Sequence, residues 1–308
     1  MSTARAVVFG YHDVGVRCLK ALLSAGVDVP LVVTVADDPT EKQWFASMAA
    51  TAADYGVRCI APSDAADPEL ERQIADIQPD FIFSFYYRAM LGPGLLRQAR
   101  RGALNIHGSL LPRYRGRAPV NWAILHGEIE TGATLHYMVQ KADAGEIVDQ
   151  LAVPILQDDD AREVFSKVTV AAETILARSL HGLIAGTAPR TAQSVAEGQY
   201  FGRRRPEDGR IDWSWPARRI HNLVRAVAPP FPGAFGEIAG ERWQINRTRL
   251  VPRRVAEGAR ARLVNAGGEL QVECCDGSVL RLLEAAGPSG SVATGDALAG
   301  SIPCPVLL

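Results

Sequence analysis

Between residues 5 and 153 short apolar runs alternate with longer amphipathic ones. Such alternation is the mark of βαβ units on a mostly parallel sheet. The apolar runs predict strands over 5–9, 30–35, 58–60, 80–85 and 103–107, with two more over 133–138 and 147–153. Helices are predicted between them. The stretch 13–25 stops at Gly26 and 41–55 at Gly56, and a glycine in that place ends a helix because it adopts positive φ without strain. The stretch 68–77 opens with Asp67 as N-cap and Pro68 in the first turn. A long helix is predicted over 162–184, closed by Gly186.

After Gly186 the pattern changes. Residues 187–206 are polar and mixed, which suits a linker, and 215–228 predicts a short helix closed by Pro229-Pro230. Strand alternation then recurs over 235–238, 242–248, 261–264, 269–274 and 279–283, separated by Gly-rich turns. Five short strands in so little chain predict a small barrel. The resulting fold class is α/β: a Rossmann-like, mostly parallel sheet domain over 1–186, a linker over 187–206, an OB-like β-barrel domain over 207–285, and a flexible tail over 286–308, rich in Gly, Ser, Ala and Pro.

The length of 308 residues agrees with two domains of ordinary size. No uninterrupted apolar run reaches the roughly 18 residues that cross a bilayer, so no membrane insertion is expected. The apolar core at 6–9 is too short for a secretory signal. The five cysteines, Cys18, Cys59, Cys274, Cys275 and Cys304, are odd in number and contain no C-x-x-C pair. Neither a disulfide framework nor a zinc site is suggested, and a reducing cytoplasm is expected.

Charge refines this picture. The net charge of −1 conceals a segment from Arg203 to Arg262 with 14 Arg, no Lys and 6 acidic residues, a local net of +8, against 19 basic and 28 acidic residues elsewhere. That segment reads either as solvated arginines on a small barrel or as a surface for a phosphate-bearing substrate, a sugar nucleotide or an RNA.

The first βα turn, Phe9-Gly10-Tyr11-His12-Asp13-Val14-Gly15, lacks the G-x-G-x-x-G glycines, and no G-K-[ST] follows. No NAD and no P-loop nucleotide are therefore expected. His107-Gly108-Ser109 is not a nucleophile elbow. His126, Glu128 and His136 lack matched partners at helical spacing, and no metal is expected.

Asn105 and His107 stand two apart at the end of a predicted strand, so their side chains leave one face at the carboxyl edge of the sheet, where ligands of open α/β sheets gather. Downstream, Asp143 sits on the Gly-containing loop Lys141-Ala-Asp-Ala-Gly-Glu146. An amide donor, an imidazole and a carboxylate can run acyl transfer without an enzyme nucleophile: the amide meets an oxyanion, the imidazole moves a proton, and the carboxylate orients the ring. From spacing alone, a purely structural strand-end Asn and His stays open.

Asn105-x-His107-x-Ser109-Leu-Leu-Pro-x-x-Arg-Gly, Thr131-Gly-Ala-Thr134, Asp143-Ala-Gly and Pro206-Glu-Asp-Gly-Arg-Ile-Asp-Trp213 together resemble the folate-dependent formyltransferase family across about residues 5–285. Within it, Phe9-Gly-Tyr-His-Asp, Phe83-Ser-Phe-Tyr-Tyr-Arg88, the 107–119 segment, Phe201-Gly-Arg-Arg204 and His221-Asn-Leu-Val-Arg-Ala-Val-Ala228 are most similar to the formyltransferase domain of the bifunctional polymyxin-resistance protein. That subgroup N-formylates UDP-4-amino-4-deoxy-L-arabinose in lipid A modification. The resemblance implies N10-formyltetrahydrofolate as co-substrate, His107 as the proton-transferring residue, Asn105 as oxyanion stabiliser and Asp143 as the carboxylate that raises the His107 pKa. It implies folate contacts at Ala89, Met90, Leu91, Arg117 and the loop Val139, Gln140, Lys141, Ala142 and Asp143. The bifunctional relatives continue into an NAD-dependent decarboxylase, so that activity is expected to be absent or supplied by a separate polypeptide, and a truncated chain would look the same.

The same resemblance admits methionyl-tRNA formyltransferase, which shares donor, trio and barrel and predicts tRNA docking. A pI near 6.6 and the scarcity of Lys weigh against RNA, and no nucleic acid is expected. A folate- or nucleotide-sensing scaffold without turnover is the non-enzyme reading, disfavoured by the intact Asn105, His107 and Asp143.

Overall fold

The computed structural model describes residues 4–36, 43–302 and 304–308. The chain forms two compact units. One comprises Met1–Pro119, Glu130–Val153 and Ser166–Phe201, the other Val120–Ile129, Pro154–Phe165 and Gly202–Leu308. The expected domain division at 186 therefore differs from the observed one, because two short inserts belong with the C-terminal part. Asn121 Nδ2 donates to Ala226 O at 2.7 Å and Ile155 N to Ile129 O at 2.8 Å, ties that sequence order does not reveal.

In chain order the first unit carries β1 (Arg5–Gly10), α1 (His12–Ser24), β2 (Asp28–Val33), α2 (Met48–Asp54), β3 (Cys59–Ile60), α3 (Pro68–Ile77), β4 (Phe81–Phe85), α4 (Pro93–Gln98), β5 (Gly102–His107) and β6 (Arg115–Gly116). After α5 (Pro119–Leu125) come β7 (Glu130–Tyr137), β8 (Ile147–Pro154), α6 (Ala161–Ala185) and β9 (Tyr200–Phe201). The seven-stranded sheet has the order β3-β2-β1-β4-β5-β7-β8. Strands β1 to β5 run parallel and β7 antiparallel to β5.

Helices cover both faces of a parallel sheet, so its strands must be apolar on both sides. β4 obeys this: Phe81-Ile-Phe-Ser-Phe is buried throughout, and its three phenylalanines stack at 5.7 and 5.6 Å. On one sheet face Val7, Phe9, Leu31, Val33 and Ile82 pack against Leu70 and Ile74 of α3. The first βα turn is closed by contact rather than opened as a phosphate cradle: a Cβ on Gly10 would stand 2.6 Å from Met48 Cε, and one on Gly15 3.1 Å from the Gly10 carbonyl carbon.

α3 begins as its caps dictate, with Asp67 accepting from Glu69 N at 2.9 Å. The expected helix over 41–55 is shorter. Positions 41 and 42 lie outside the described residues, and α2 starts only after Ser47, whose side chain caps Ala50 N. Phe45 instead stacks on His12 at 4.0 Å, and Trp44 meets His12 edge-on at 4.5 Å. α4 and α5, of 6 and 7 residues, are too short to show a helical period. α6 opens on a reciprocal cap, Glu163 N to Asp160 Oδ1 at 2.8 Å and Asp160 N to Glu163 Oε2 at 2.9 Å. By length and composition α6 could cross a membrane. Its stripe Val164, Val168, Ala171, Ile175, Leu176 and Leu180 is buried in protein, as in a core helix.

The second unit holds α7 (Ala217–Ala226), β10 (Ala234–Ile238), β11 (Glu241–Arg254), β12 (Arg262–Ala266), β13 (Glu269–Glu273), β14 (Ser278–Ala286), β15 (Val292–Thr294), α8 (Gly295–Ser301) and β16 (Val306–Leu307). These form a curled antiparallel sheet of order β10-β11-β14-β13-β12-β16, with β15 on β14. β11 outruns its expected end at 248 because register shifts between Val251 and Arg254 accommodate Pro252, which cannot donate in a regular ladder.

Two expectations are corrected. The tail over 286–308 is built into the sheet: Val292–Thr294 pairs with β14, Leu298 and Ala299 of α8 are buried, and β16 pairs with β12. These partners are distant in sequence, so a local reading of small residues misses them. The stretch 187–206 is likewise no free linker. Thr191 bridges Ile147, and β9 pairs in parallel with β6.

Candidate active site

β5 delivers Asn105 and His107 to the carboxyl edge of the sheet, with Ile106 buried on the opposite side. The chain after β5 is tied down closely. Thr134 Oγ1 on β7 donates to Ser109 O at 2.6 Å and accepts from Leu111 N at 3.1 Å and from Gln150 Nε2 at 2.8 Å. Ser109, no nucleophile, donates its hydroxyl to Arg113 O at 2.6 Å. β6 is held by β9, and Tyr114 stacks on Phe201 at 5.1 Å.

Gly108 is required by space. A Cβ there would collide with the Tyr86 hydroxyl. Gly108→Ala is expected to cost about 1–3 kcal/mol of stability, and Tyr86→Phe in the same chain to recover part of it. Denaturant melts of both variants check this; a Gly108→Ala protein as stable as the parent would show that the Tyr86 ring moves aside freely.

Asp143 arrives from the β7–β8 connection with a left-handed backbone, φ +52°. Its Oδ2 accepts from Gly116 N at 2.9 Å, and its Oδ1 lies 3.6 Å from His107 Nδ1 and 3.7 Å from His136 Nε2. Gln193 Nε2, from the stretch expected to be a linker, donates to Asp143 O at 3.2 Å and Gly145 O at 2.5 Å. His107 is buried, and its Nε2 donates to Tyr114 O at 2.8 Å. His107 and Asp143 of the sequence reading therefore meet, and Asn105 lies two positions before His107 on the same strand.

A fourth residue joins them. His136 lies opposite Asn105 in the β5–β7 register, with Asn105 Nδ2 at 3.1 Å from its Nε2. Sequence reasoning treated His136 only as an unsupported metal ligand, because cross-strand register is invisible in one strand. Among the described residues no cluster of three or more His, Cys, Asp or Glu could hold a metal.

His136 is 1% exposed, and burial lowers its pKa to about 4, outweighing the upward pull of Asp143. The unfolded chain restores the ordinary value of 6.5, so between the two it binds a proton that the folded chain refuses. The stability held above pH 6.5 is therefore lost as pH falls through 4. Urea melts of wild type and His136→Gln from neutral to acid pH check it. The variant should lose stability less steeply, and equal slopes would exclude His136 as the source.

The folate positions implied by resemblance divide. Leu91 is buried in the core cluster against which Met138 also packs, so its side chain is committed there. Its neighbour Met90, and Val139 after Met138, are large exposed apolar side chains. Ala89, Gln140 and Lys141 are exposed, and Ala142 is half-buried. Arg117 is exposed, and its backbone N donates to Phe201 O at 2.9 Å. A cavity of about 420 Å³ at the amino end of β5, the end opposite His107, is lined by Leu96, Ala103, Met138, Val139 and Gly145, among others.

Residues 4–180 match the Formyl transferase family, and 204–301 match the Formyl transferase C-terminal domain. The chain belongs to the formyl transferase family. The fold is shared with an N-formyltransferase from Helicobacter canadensis solved with folinic acid and dTDP-3-aminofucose: 20% identity, TM-score 0.72, 91% of this chain and 98% of that one covered. It is shared with a sugar N-formyltransferase from a Shewanella species, at 18% identity and TM-score 0.63, covering 80% and 97%. HypX from Aquifex aeolicus, solved with tetrahydrofolic acid, matches at 17% identity and TM-score 0.64 over 97% of this chain and 47% of its own. In this formyltransferase the Asn105, His107 and Asp143 set lies at the carboxyl edge of the family's N-terminal domain.

Proposed function

We propose that this formyltransferase moves the formyl group of N10-formyltetrahydrofolate onto the amino group of a nucleotide-linked aminosugar, with UDP-4-amino-4-deoxy-L-arabinose as the acceptor. The observation that carries the reading is His107 facing Asp143 at the end of β5, with Asn105 two positions earlier on the same strand and joined to that carboxylate's other neighbour, His136. Met90 and Val139, large apolar side chains left exposed after β4 and β7, are offered to the flat heterocycle of the folate, and the exposed Arg117 to an anionic part of the substrates. When bound, the folate supplies an activated one-carbon unit. The neutral sugar amine attacks it directly, which needs no covalent enzyme intermediate. Asn105 donates to the oxygen as negative charge develops on it. His107, its Nε2 proton held on Tyr114 O, takes the proton of the attacking nitrogen at Nδ1 and returns one to the departing nitrogen, with the Asp143 carboxylate beside Nδ1 stabilising the imidazolium formed between the two transfers. On this reading the product serves lipid A modification and polymyxin resistance, and the enzyme works in the cytoplasm.

The arginine-rich segment favours a small anionic substrate over an RNA because much of it is already engaged. Arg225 is buried on Asn222 Oδ1 and the Asp159 carbonyl. Arg204, Arg219 and Arg242 lie over Trp122, Trp215 and Phe235, and Arg249 and Arg262 pair with Asp158 and Glu273. The test supplies the aminosugar nucleotide with N10-formyltetrahydrofolate and seeks a product heavier by one CO unit. Calorimetry with UDP and with initiator tRNA runs in parallel. Tight tRNA binding with no response to UDP would replace this reading by tRNA formylation.

A further inference from the structure

A primary amide serves an oxyanion only if its NH2 end faces it, and the NH2 and C=O ends of Asn are nearly equal in size. Something must choose between them. In this chain the choice can be traced through hydrogen bonds. His136 Nδ1 stands 2.9 Å from Tyr137 O, and a carbonyl only accepts, so Nδ1 carries the ring proton. A neutral imidazole protonated there has its lone pair on Nε2. The atom facing that lone pair at 3.1 Å must then be a donor, and Asn105 supplies it with Nδ2.

We propose that His136 is a positioning residue: as a neutral Nδ1–H imidazole it selects the Asn105 rotamer that points NH2 into the site, engaging one N–H and leaving the second for the substrate oxygen. The oxyanion role of Asn105 rests on the formyl-transfer reading above; the tautomer and the amide orientation do not. The charged neighbours pull in opposite directions, Asp143 toward a cation and His107 against it, and burial decides for the neutral ring. Asp143 Oδ1 lies 3.7 Å from Nε2, and His107 faces the same carboxylate oxygen from its other side at 3.6 Å. The His136 side chain is 2% exposed, which opposes charging. Were the ring a cation, Nε2 would become a donor, turn to Asp143, and reject the Asn105 N–H. His136 thus acts through Asn105 and not on the substrate.

Three measurements test this. Nitrogen-15 NMR of the wild-type imidazoles should show His136 neutral, with the proton on Nδ1, at pH 7. A neutral ring protonated at Nε2, or a cation, would overturn the proposal whether or not any formyl transfer is found. In kinetics, His136→Leu should lower kcat about 10- to 100-fold, a share of what an oxyanion donor supplies, with both KM values changed less than about 3-fold. His136→Gln returns an acceptor to roughly the Nε2 position and should recover most of that loss. In an Asn105→Ala background His136→Leu should change kcat by less than about 2-fold, since the residue it orients is gone. The same loss in both backgrounds, or no recovery with Gln, would make His136 merely structural. Absence of turnover on every aminosugar nucleotide by wild type would sink the functional reading and leave the NMR result to decide the orientation.

Discussion

His107→Ala will slow formyl transfer by about 100- to 10,000-fold, the usual contribution of a positioned general acid–base. The size follows from the site having no second imidazole able to replace it. His136 is close, but its Nδ1 is bonded to Tyr137 O and burial holds its pKa near 4, so it does not carry protons at neutral pH. The loss should fall on kcat, because the exposed Met90 and Val139 offered to the folate do not depend on this ring. The fold should survive. The loop beyond His107 is anchored independently by Thr134 on Ser109 and Leu111, by Ser109 on Arg113 and by the β6–β9 pair. Single-turnover assays with folate binding measured alongside decide it. Turnover above about a tenth of wild type would remove His107 from proton transfer.

What could be read from the sequence follows how far apart the interacting residues lie. Asn105 and His107 are two positions apart on one strand, so strand alternation alone puts them on one face. α3 is announced by Asp67 and Pro68, whose effects are local. His136 could not be found in this way. Its partnership with Asn105 depends on which residue of β7 faces which residue of β5, and an antiparallel register is fixed by packing of the whole sheet. The same holds for Gln193, Tyr200 and Phe201, set in a stretch that is polar and mixed in sequence, which clamp the Asp143 loop and β6. Val306 and Leu307 look like the end of a loose tail until the edge of β12 is present to receive them. The arginine-rich segment was visible as charge, but its engagement with Trp122, Trp215 and Phe235 was not, and that engagement weakens the inference from charge to RNA.

Asp143→Asn will lower kcat about 100-fold or more, as expected when the group orienting a general acid–base loses its charge. The substitution separates two duties of one side chain. Asp143 Oδ2 accepts from Gly116 N, and an Asn carbonyl can accept the same bond, so the 108–118 loop should keep its place and thermal stability should change little. Oδ1 faces His107 Nδ1 at 3.6 Å and His136 Nε2 at 3.7 Å, and here the charge cannot be replaced. An amide NH2 turned toward those nitrogens would compete with Asn105 for the His136 lone pair and offer His107 no anion. Asp143→Ala, by contrast, strips the Gly116 anchor as well, and should lower both kcat and the melting temperature. The diagnostic result is therefore a pair: similar kcat losses in the two variants, with stability lost only in Ala. If Asn kept near wild-type turnover, the charge would be dispensable, and Asp143 would be a loop anchor whose only catalytic duty is to hold Gly116 in place beneath His107.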